Sequence, residues 1–346
     1  MKKEYYKYID LLNIFAIIAV VAMHVNGCFW SFSYENYWRV SVIIETAFYW
    51  AVPIFFMVMG VTLIDYRKRY GTKEYFKKRV LKTFIPFLIW SIVSLLYRIW
   101  QGSMNIDVFK PRNLLTAIFN AQGLTVYWFF MPLFAVYFAI PVLGLISKEN
   151  RKKVYNYMAL MGFLTLSFFP TLCKVLNIGF PSTLEFPMAG GQFIFVLIGY
   201  LLAYEYKFSG LQRIGIYVVG IFGWFIRYYT VLHWSLSEGH INNTMGGYTN
   251  FPTVLFSIAV FVFVKDDLSK LFVFEKISPR FLRAVSGASF GVYLMHYYLV
   301  ERIPLILGFD SRSMVWRTVG VLVIYMVCVI IVLIIQKIPV IRKLVP

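Results

Sequence analysis

Three polar side chains, Asp10, Asn13 and His24, interrupt the apolar stretch 8–27 near the start of the chain. An α-helix turns about 100° per residue, so Asn13 and His24 differ by about 20° around its axis, and Asp10 and His24 by about 40°. All three therefore share one stripe. Histidine can act as a general base, and a carboxylate or an amide can bind polar partners. Because polar groups in hydrocarbon cost free energy unless they meet partners or water, the stripe predicts a polar cavity.

A second polar stripe lies in the apolar stretch 286–306. Ser289, Tyr293 and His296 are spaced i, i+4 and i+7, so they fall on one helical face. A buried histidine in a helix is most often a hydrogen-bonded packing residue. If this stripe faces the first one, His296 belongs to the same site instead.

Two further residues could complete a site at the level of His24. Glu45 lies about one turn into the apolar stretch 42–64, where it either meets His24 or faces lipid headgroups. Trp128 belongs to an aromatic cluster that opens the stretch 126–147. Such a cluster is typical of the membrane interface, and flat aromatic faces also bind sugars, so composition leaves both interpretations open.

Arg79 and Lys82 form a basic pair before the third apolar stretch. They are three residues apart, which places them on one face of a regular helix. Cations at this position could bind anionic lipid, or the phosphates of a cytosolic donor that carries a nucleotide. Both interpretations stay open on the spacing alone.

The elements that must position these residues are membrane helices. Of the 346 residues, 60% are hydrophobic and 14% are charged, which is typical of an all-α polytopic membrane protein. We expect one membrane domain over residues 1–346 and about ten transmembrane helices. The predicted spans are 8–27, 42–64, 80–100, 126–147, 156–173, 189–206, 214–232, 250–264, 286–306 and 314–336.

The distribution of basic residues predicts the orientation. With the N-terminus inside, 24 of the 34 lysines and arginines fall on inner segments and five on outer loops. This bias follows the positive-inside rule and predicts a cell-membrane protein with both termini cytoplasmic. It also explains the net charge of +18 through membrane topology, so we expect no nucleic-acid partner. The five outer residues are Arg39, Lys110, Arg112, Lys174 and Arg312.

The cysteines and loop histidines do not predict a metal site. Cys28, Cys173 and Cys328 form no CxxC motif, and no histidine stands near them at ligand spacing. His233 and His240 are seven residues apart in one predicted loop, which is a weak pattern for a metal.

The chain resembles the acyltransferase-three family of integral membrane O-acyltransferases, in its compact form without a fused extracytoplasmic domain. The resemblance covers essentially the whole chain, in the family's order. Its motifs are YIDLLNIFAIIAVVAMH, VPIFFMVMG, FKKRVLKTFIPF, YWFF, FVLIGYLLA and SFGVYLMH.

This resemblance implies that acyl-CoA, most often acetyl-CoA, binds from the cytoplasmic side and acylates a hydroxyl, usually on a saccharide. The family's catalytic histidine corresponds to His24, and its aspartate near the start of the first helix to Asp10. Its paired basic residues correspond to Arg79 and Lys82, with lysine in place of the usual second arginine. The histidine of its ninth-helix motif corresponds to His296.

Two positions depart from the family's pattern. Asn13 stands where the family usually has arginine, and Met59 where it usually has serine. An asparagine can donate hydrogen bonds but supplies no charge, so it offers no counter-ion to a phosphate or carboxylate at that point.

The expected mechanism is direct acyl transfer, with His24 as general base and Glu45 orienting its ring. Asp10 and Asn13, with the basic pair, would bind the donor. On the acceptor side we expect a carbohydrate or lipid-linked saccharide, with membrane lipids around the protein and a homodimer as an option. The alternatives are a secondary transporter or flippase and a catalytically degenerate membrane partner. The expected acceptor-binding residues are Trp128, Tyr293 and His296.

Overall fold

A computed structural model describes residues 5–188 and 190–346, and these residues form helices and loops without a β-strand. Each of the ten predicted apolar stretches lies largely in a helix. Lys2 and Lys3, which contributed to the predicted orientation, lie outside the described residues. The ten helices that correspond to these stretches are α1 (Lys7–Val25), α2 (Asn36–Lys68), α3 (Thr72–Trp100), α4 (Thr125–Leu143), α5 (Lys148–Val175), α6 (Phe193–Glu205), α7 (Gly210–Glu238), α8 (Phe251–Asp266), α9 (Pro279–Leu307) and α10 (Trp316–Lys337).

Seven of these helices are long and apolar enough to cross a membrane: α1, α2, α3, α4, α5, α7 and α10. Helices α6 and α8 are shorter, and α9 is long enough but carries the second polar stripe. The all-helical, multi-pass fold is therefore confirmed. The number of ten spans stays a prediction.

Local sequence fixes where the helices begin and end. Helix α7 starts with a capping box, in which Ser209 and Gln212 satisfy each other's backbone N–H groups, and it ends at Gly239 with φ +72°. Helix α9 starts after Ser278, whose side chain accepts a backbone hydrogen bond, and ends at Gly308 with φ +67°. These signals give α7 and α9 their length of 29 residues each.

Helix α1 lies at the centre of the bundle, where it contacts α2, α8, α9 and α10. Its residues Leu12, Ala16, Ile17 and Val21 have no solvent-exposed surface. The polar stripe predicted on α1 therefore lies inside protein. That arrangement removes the cost of exposing polar groups to lipid.

Charged contacts link helix ends at both ends of the bundle. Arg151 at the start of α5 pairs with Asp65 at the end of α2. Arg98 and Glu301, near the ends of α3 and α9, form an ion pair of 3.0 Å. These pairings agree with helices that alternate in direction along the chain.

Helices α2 and α6 approach each other closely at two glycines. A Cβ on Gly60 would lie 2.0 Å from the carbonyl oxygen of Val196, and one on Gly199 would lie 2.2 Å from that of Met57. Small residues at such crossings let helix backbones pack together in a membrane.

We expect Gly60→Ala to lower the free energy of unfolding by about 1–3 kcal/mol, because the added methyl group overpacks this crossing. The matched control is Gly215→Ala on α7, where no atom lies within 4 Å of the new methyl group. Thermal unfolding of both variants in detergent measures the difference. If Gly60→Ala melts no lower than Gly215→Ala, the close packing of α2 and α6 is wrong.

Candidate active site

A cavity of about 410 Å³ opens at the end of α1 that carries His24, and its volume lies within the usual range for small-molecule sites. Exposed parts of Trp30 and Trp128 lie at its rim. The lining residues are Val20, Met23, His24, Gly27, Trp30, Glu45, Tyr49, Val52, Thr125, Val126, Trp128, Phe129, Tyr248, Tyr293 and Tyr297.

The two polar stripes predicted from sequence face each other across α1 and α9. Nδ1 of His24 lies 2.9 Å from Nε2 of His296. About three helical turns away, Nδ2 of Asn13 donates to Oγ of Ser286 at 3.4 Å. His24 lies in the last turn of α1 and is partly exposed, so its ring reaches the cavity while its Nδ1 side faces α9.

His296 is fully buried and lies behind His24, outside the set of residues that line the cavity. Its Nδ1 approaches the carbonyl oxygens of Tyr293 at 2.8 Å and Val292 at 3.1 Å. This position does not favour direct contact with a substrate, the role expected for His296 from the sequence.

Glu45 faces the same cavity as His24, at the level expected from the sequence. Only 4% of its surface is exposed, and within the described residues its Oε2 has no hydrogen-bond partner. The expected orienting bond from Glu45 to His24 does not occur among the described contacts, and Nδ1 of His24 is hydrogen-bonded to His296 instead. A buried carboxylate with a free oxygen can accept hydrogen bonds from a ligand in the cavity.

Arg227 of α7 brings a positive charge to the wall behind Glu45. Its guanidinium donates to the carbonyl oxygen of Met245 at 2.6 Å and to Oγ1 of Thr253 at 3.2 Å. The guanidinium carbon also lies 3.5 Å from the ring centroid of Tyr49, within cation–π distance. Arg227 therefore supports the ring of Tyr49 in the wall of the cavity that Glu45 also lines.

Three aromatic rings continue this stack toward the mouth of the cavity. Tyr49 stacks on Tyr248 with centroids 4.2 Å apart, and Tyr248 stacks on Trp128 at 5.4 Å. Tyr248 lies in the loop between α7 and α8, and burial raises its pKa well above the usual value, so its phenol stays protonated. Trp128 is 39% exposed and presents the outermost ring of the column.

Tyr293, on the α9 stripe, lines the cavity beside His24, and its hydroxyl donates to the carbonyl oxygen of Val126. The sequence-predicted residues His24, Glu45, Trp128 and Tyr293 thus meet at one cavity.

Asp10, Asn13, Arg79 and Lys82 lie away from that cavity. Asp10 is partly buried, and its Oδ2 has no hydrogen-bond partner within the described residues. Burial and the neighbouring Asp10 carboxylate raise the pKa of Tyr5, just before α1, to about 12.

The basic pair lies at an irregular turn in α3, with Arg79 just before this turn and Lys82 within it. The segment Val80–Phe84 is π-helical, with i→i+5 hydrogen bonds, so a spacing of three no longer stacks Arg79 on Lys82 as in a regular helix. Arg79 is partly buried, with its guanidinium 5.4 Å from the ring centroid of Tyr137. Lys82 is exposed. The two cations therefore have different surroundings.

The sequence interpretation missed Arg227, Tyr49 and Tyr248. An arginine inside the predicted span 214–232 is itself a signal, because ionisable groups within membrane helices are rare and usually functional. The tyrosines gave no such signal, since they look like ordinary interfacial aromatics. Across the described residues, no group of three histidine, cysteine, aspartate or glutamate side chains could hold a metal ion.

Fold and site together define a helical membrane protein in which a histidine, a carboxylate and an aromatic platform share one cavity. The family model for an acyltransferase domain matches residues 6–335, nearly the whole chain. The chain therefore belongs to the acyltransferase-three family, which favours a membrane acyltransferase over a transporter. No curated protein and no solved structure is similar enough to this chain to match.

We expect Arg227→Lys to lower the free energy of unfolding by about 1.5–3 kcal/mol, because an ammonium cannot stack on Tyr49 and keep both guanidinium hydrogen bonds. The control is Arg39→Lys, where the arginine is exposed. Thermal unfolding in detergent compares the two. Equal melting temperatures would contradict a supporting role for Arg227.

Proposed function

We propose that this protein transfers an acyl group, acetyl in the first instance, from acyl-CoA to a hydroxyl of a cell-surface or lipid-linked saccharide. The observation that carries the proposal is the placement of His24: partly exposed to the cavity, hydrogen-bonded through Nδ1, and next to Glu45 and Trp128. Membership of the acyltransferase family supports the reaction class.

In the proposed reaction, Nε2 of His24 takes the proton of the acceptor hydroxyl as its oxygen attacks the thioester carbonyl. The new C–O bond gives a tetrahedral intermediate. Its collapse breaks the C–S bond, and the departing thiolate takes the proton back from His24. Products are the O-acyl ester and CoA thiol, so the base is regenerated.

A saccharide acceptor suits the other walls of the cavity. Trp128 offers a flat ring, held in place by Tyr248 and Tyr49, on which the apolar face of a sugar can lie. Glu45 offers a free carboxylate oxygen to a neighbouring sugar hydroxyl. Tyr293 completes the wall beside His24.

We propose that the donor binds at the opposite, cytoplasmic end of a ten-span bundle in the cell membrane, with both termini cytoplasmic. The exposed ammonium of Lys82 and the guanidinium of Arg79 are suited to CoA phosphates. The thioester arm would reach His24 between α1 and α9, past Asp10 and Asn13. Position 13, where the family usually has arginine, holds an asparagine in this chain. The Asn13 amide bonds to the hydroxyl of Ser286, and this contact needs no counter-ion.

We expect His24→Ala to lower the transfer rate by about 10²–10⁴-fold, the usual contribution of a general base. The assay uses purified protein with acetyl-CoA and an envelope saccharide, and mass spectrometry detects the added acetyl group. His240→Ala, at an exposed loop residue, is the control and should keep its activity. Wild-type rates from folded His24→Ala would overturn the base assignment. Inactive wild-type protein that binds no CoA would favour the degenerate alternative.

We also expect sealed inside-out vesicles to consume added acetyl-CoA and right-side-out vesicles to leave it intact.

The double variant Arg79→Ala, Lys82→Ala should raise the KM for acetyl-CoA about tenfold or more, because it removes charged hydrogen bonds to phosphate. The control Lys148→Ala, Lys153→Ala removes two exposed cations from the same end of the bundle. Equal KM values in the two double variants would contradict the proposed donor site.

A further inference from the structure

The hydrogen bonds of His296 determine which of its nitrogens carries a proton. A carbonyl oxygen can only accept a hydrogen bond. Nδ1 of His296 lies 2.8 Å from the carbonyl oxygen of Tyr293 and 3.1 Å from that of Val292, so Nδ1 carries the proton. Both carbonyls belong to the preceding turn of α9, so the helix itself imposes this tautomer.

The neutral form of His296 follows from its surroundings. Its surface is completely buried in the apolar bundle, and within the described residues no carboxylate is hydrogen-bonded to it. An unpaired imidazolium there would carry a large desolvation cost. A neutral ring with its proton on Nδ1 keeps a lone pair on Nε2.

That lone pair fixes the state of His24. Nε2 of His296 lies 2.9 Å from Nδ1 of His24, and a hydrogen bond between them needs one donor and one acceptor. Since Nε2 of His296 accepts, Nδ1 of His24 donates. In the neutral ring of His24, Nε2 is then unprotonated.

We infer that His296 is a positioning residue that holds His24 in the Nδ1–H tautomer and so leaves Nε2 free as the base. The inference rests on the proposed function and assigns His296 a role other than substrate contact. When Nε2 takes the hydroxyl proton, the His24 imidazolium still donates through Nδ1 to His296, which stabilises the new charge. His296 does the orienting that a carboxylate does in a serine-protease triad, without placing an anion in the apolar bundle.

Two amide substitutions of His296 separate this role from packing. The side-chain amide of Gln reaches about as far as Nε2 and can accept from His24, whereas the shorter Asn ends near Nδ1 and cannot. Both variants remove the ring, so they share the loss of packing. We expect His296→Asn to lower kcat about 10²-fold or more, with KM values for donor and acceptor unchanged, and His296→Gln to recover most of kcat.

Histidine ¹⁵N NMR provides a direct readout of the tautomer. The chain has four histidines, so ¹⁵N-histidine labelling of the wild type and of the single variants His24→Ala, His240→Ala and His296→Asn assigns all four signals. We expect both His24 and His296 to be neutral Nδ1–H tautomers in the wild type, and His24 to show a smaller share of the Nδ1–H form in His296→Asn.

Two results would overturn the inference. One is an Nε2–H tautomer for His24 in the wild type. The other is equal kcat in folded His296→Asn and His296→Gln variants. Failure of the proposed function gives a different pattern. Either the wild type transfers no acyl group or His24→Ala retains its activity, and in both cases the NMR tautomers stay as expected.

Discussion

The constraint behind this structure is that polar groups inside an apolar bundle need either partners or a cavity. Helix α1 meets it by facing its polar stripe toward α9, where Asn13 bonds to Ser286 and His24 to His296. These contacts fix the rotation of α1 against α9. The remaining helices then pack around a central helix that is polar on one side.

Much of this arrangement could be predicted from the sequence. Ten apolar stretches correspond to helices because hydrophobic length is a strong signal, although seven alone satisfy the length and hydropathy of a span. The stripes on α1 and α9 could be found because helical periodicity places Asn13 and His24, or Tyr293 and His296, on one face. The positions of Glu45 and His24 along their helices also predicted that the two residues lie at the same level, and both line the cavity.

The rest depends on contacts that periodicity does not encode. Tyr49, Trp128 and Tyr248 come from three distant segments, and nothing local in the sequence shows that they stack. The partner of His24 was misassigned for the same reason: Glu45 and His296 both reach its level, and tertiary packing alone decides which one bonds to Nδ1. The π-helical turn after Arg79 changes the angle around the helix axis between Arg79 and Lys82, so the two do not share a face as they would in a regular helix.

The packed section of α1 between its polar residues has a consequence for the membrane itself. From Asn13 to Val20, over about 10 Å of helix, buried apolar side chains including Ala16 and Ile17 separate the two polar levels. A continuous polar route would conduct protons and dissipate the electrochemical gradient. This packed apolar section interrupts such a route, so the thioester arm of the proposed donor must displace these side chains to reach His24.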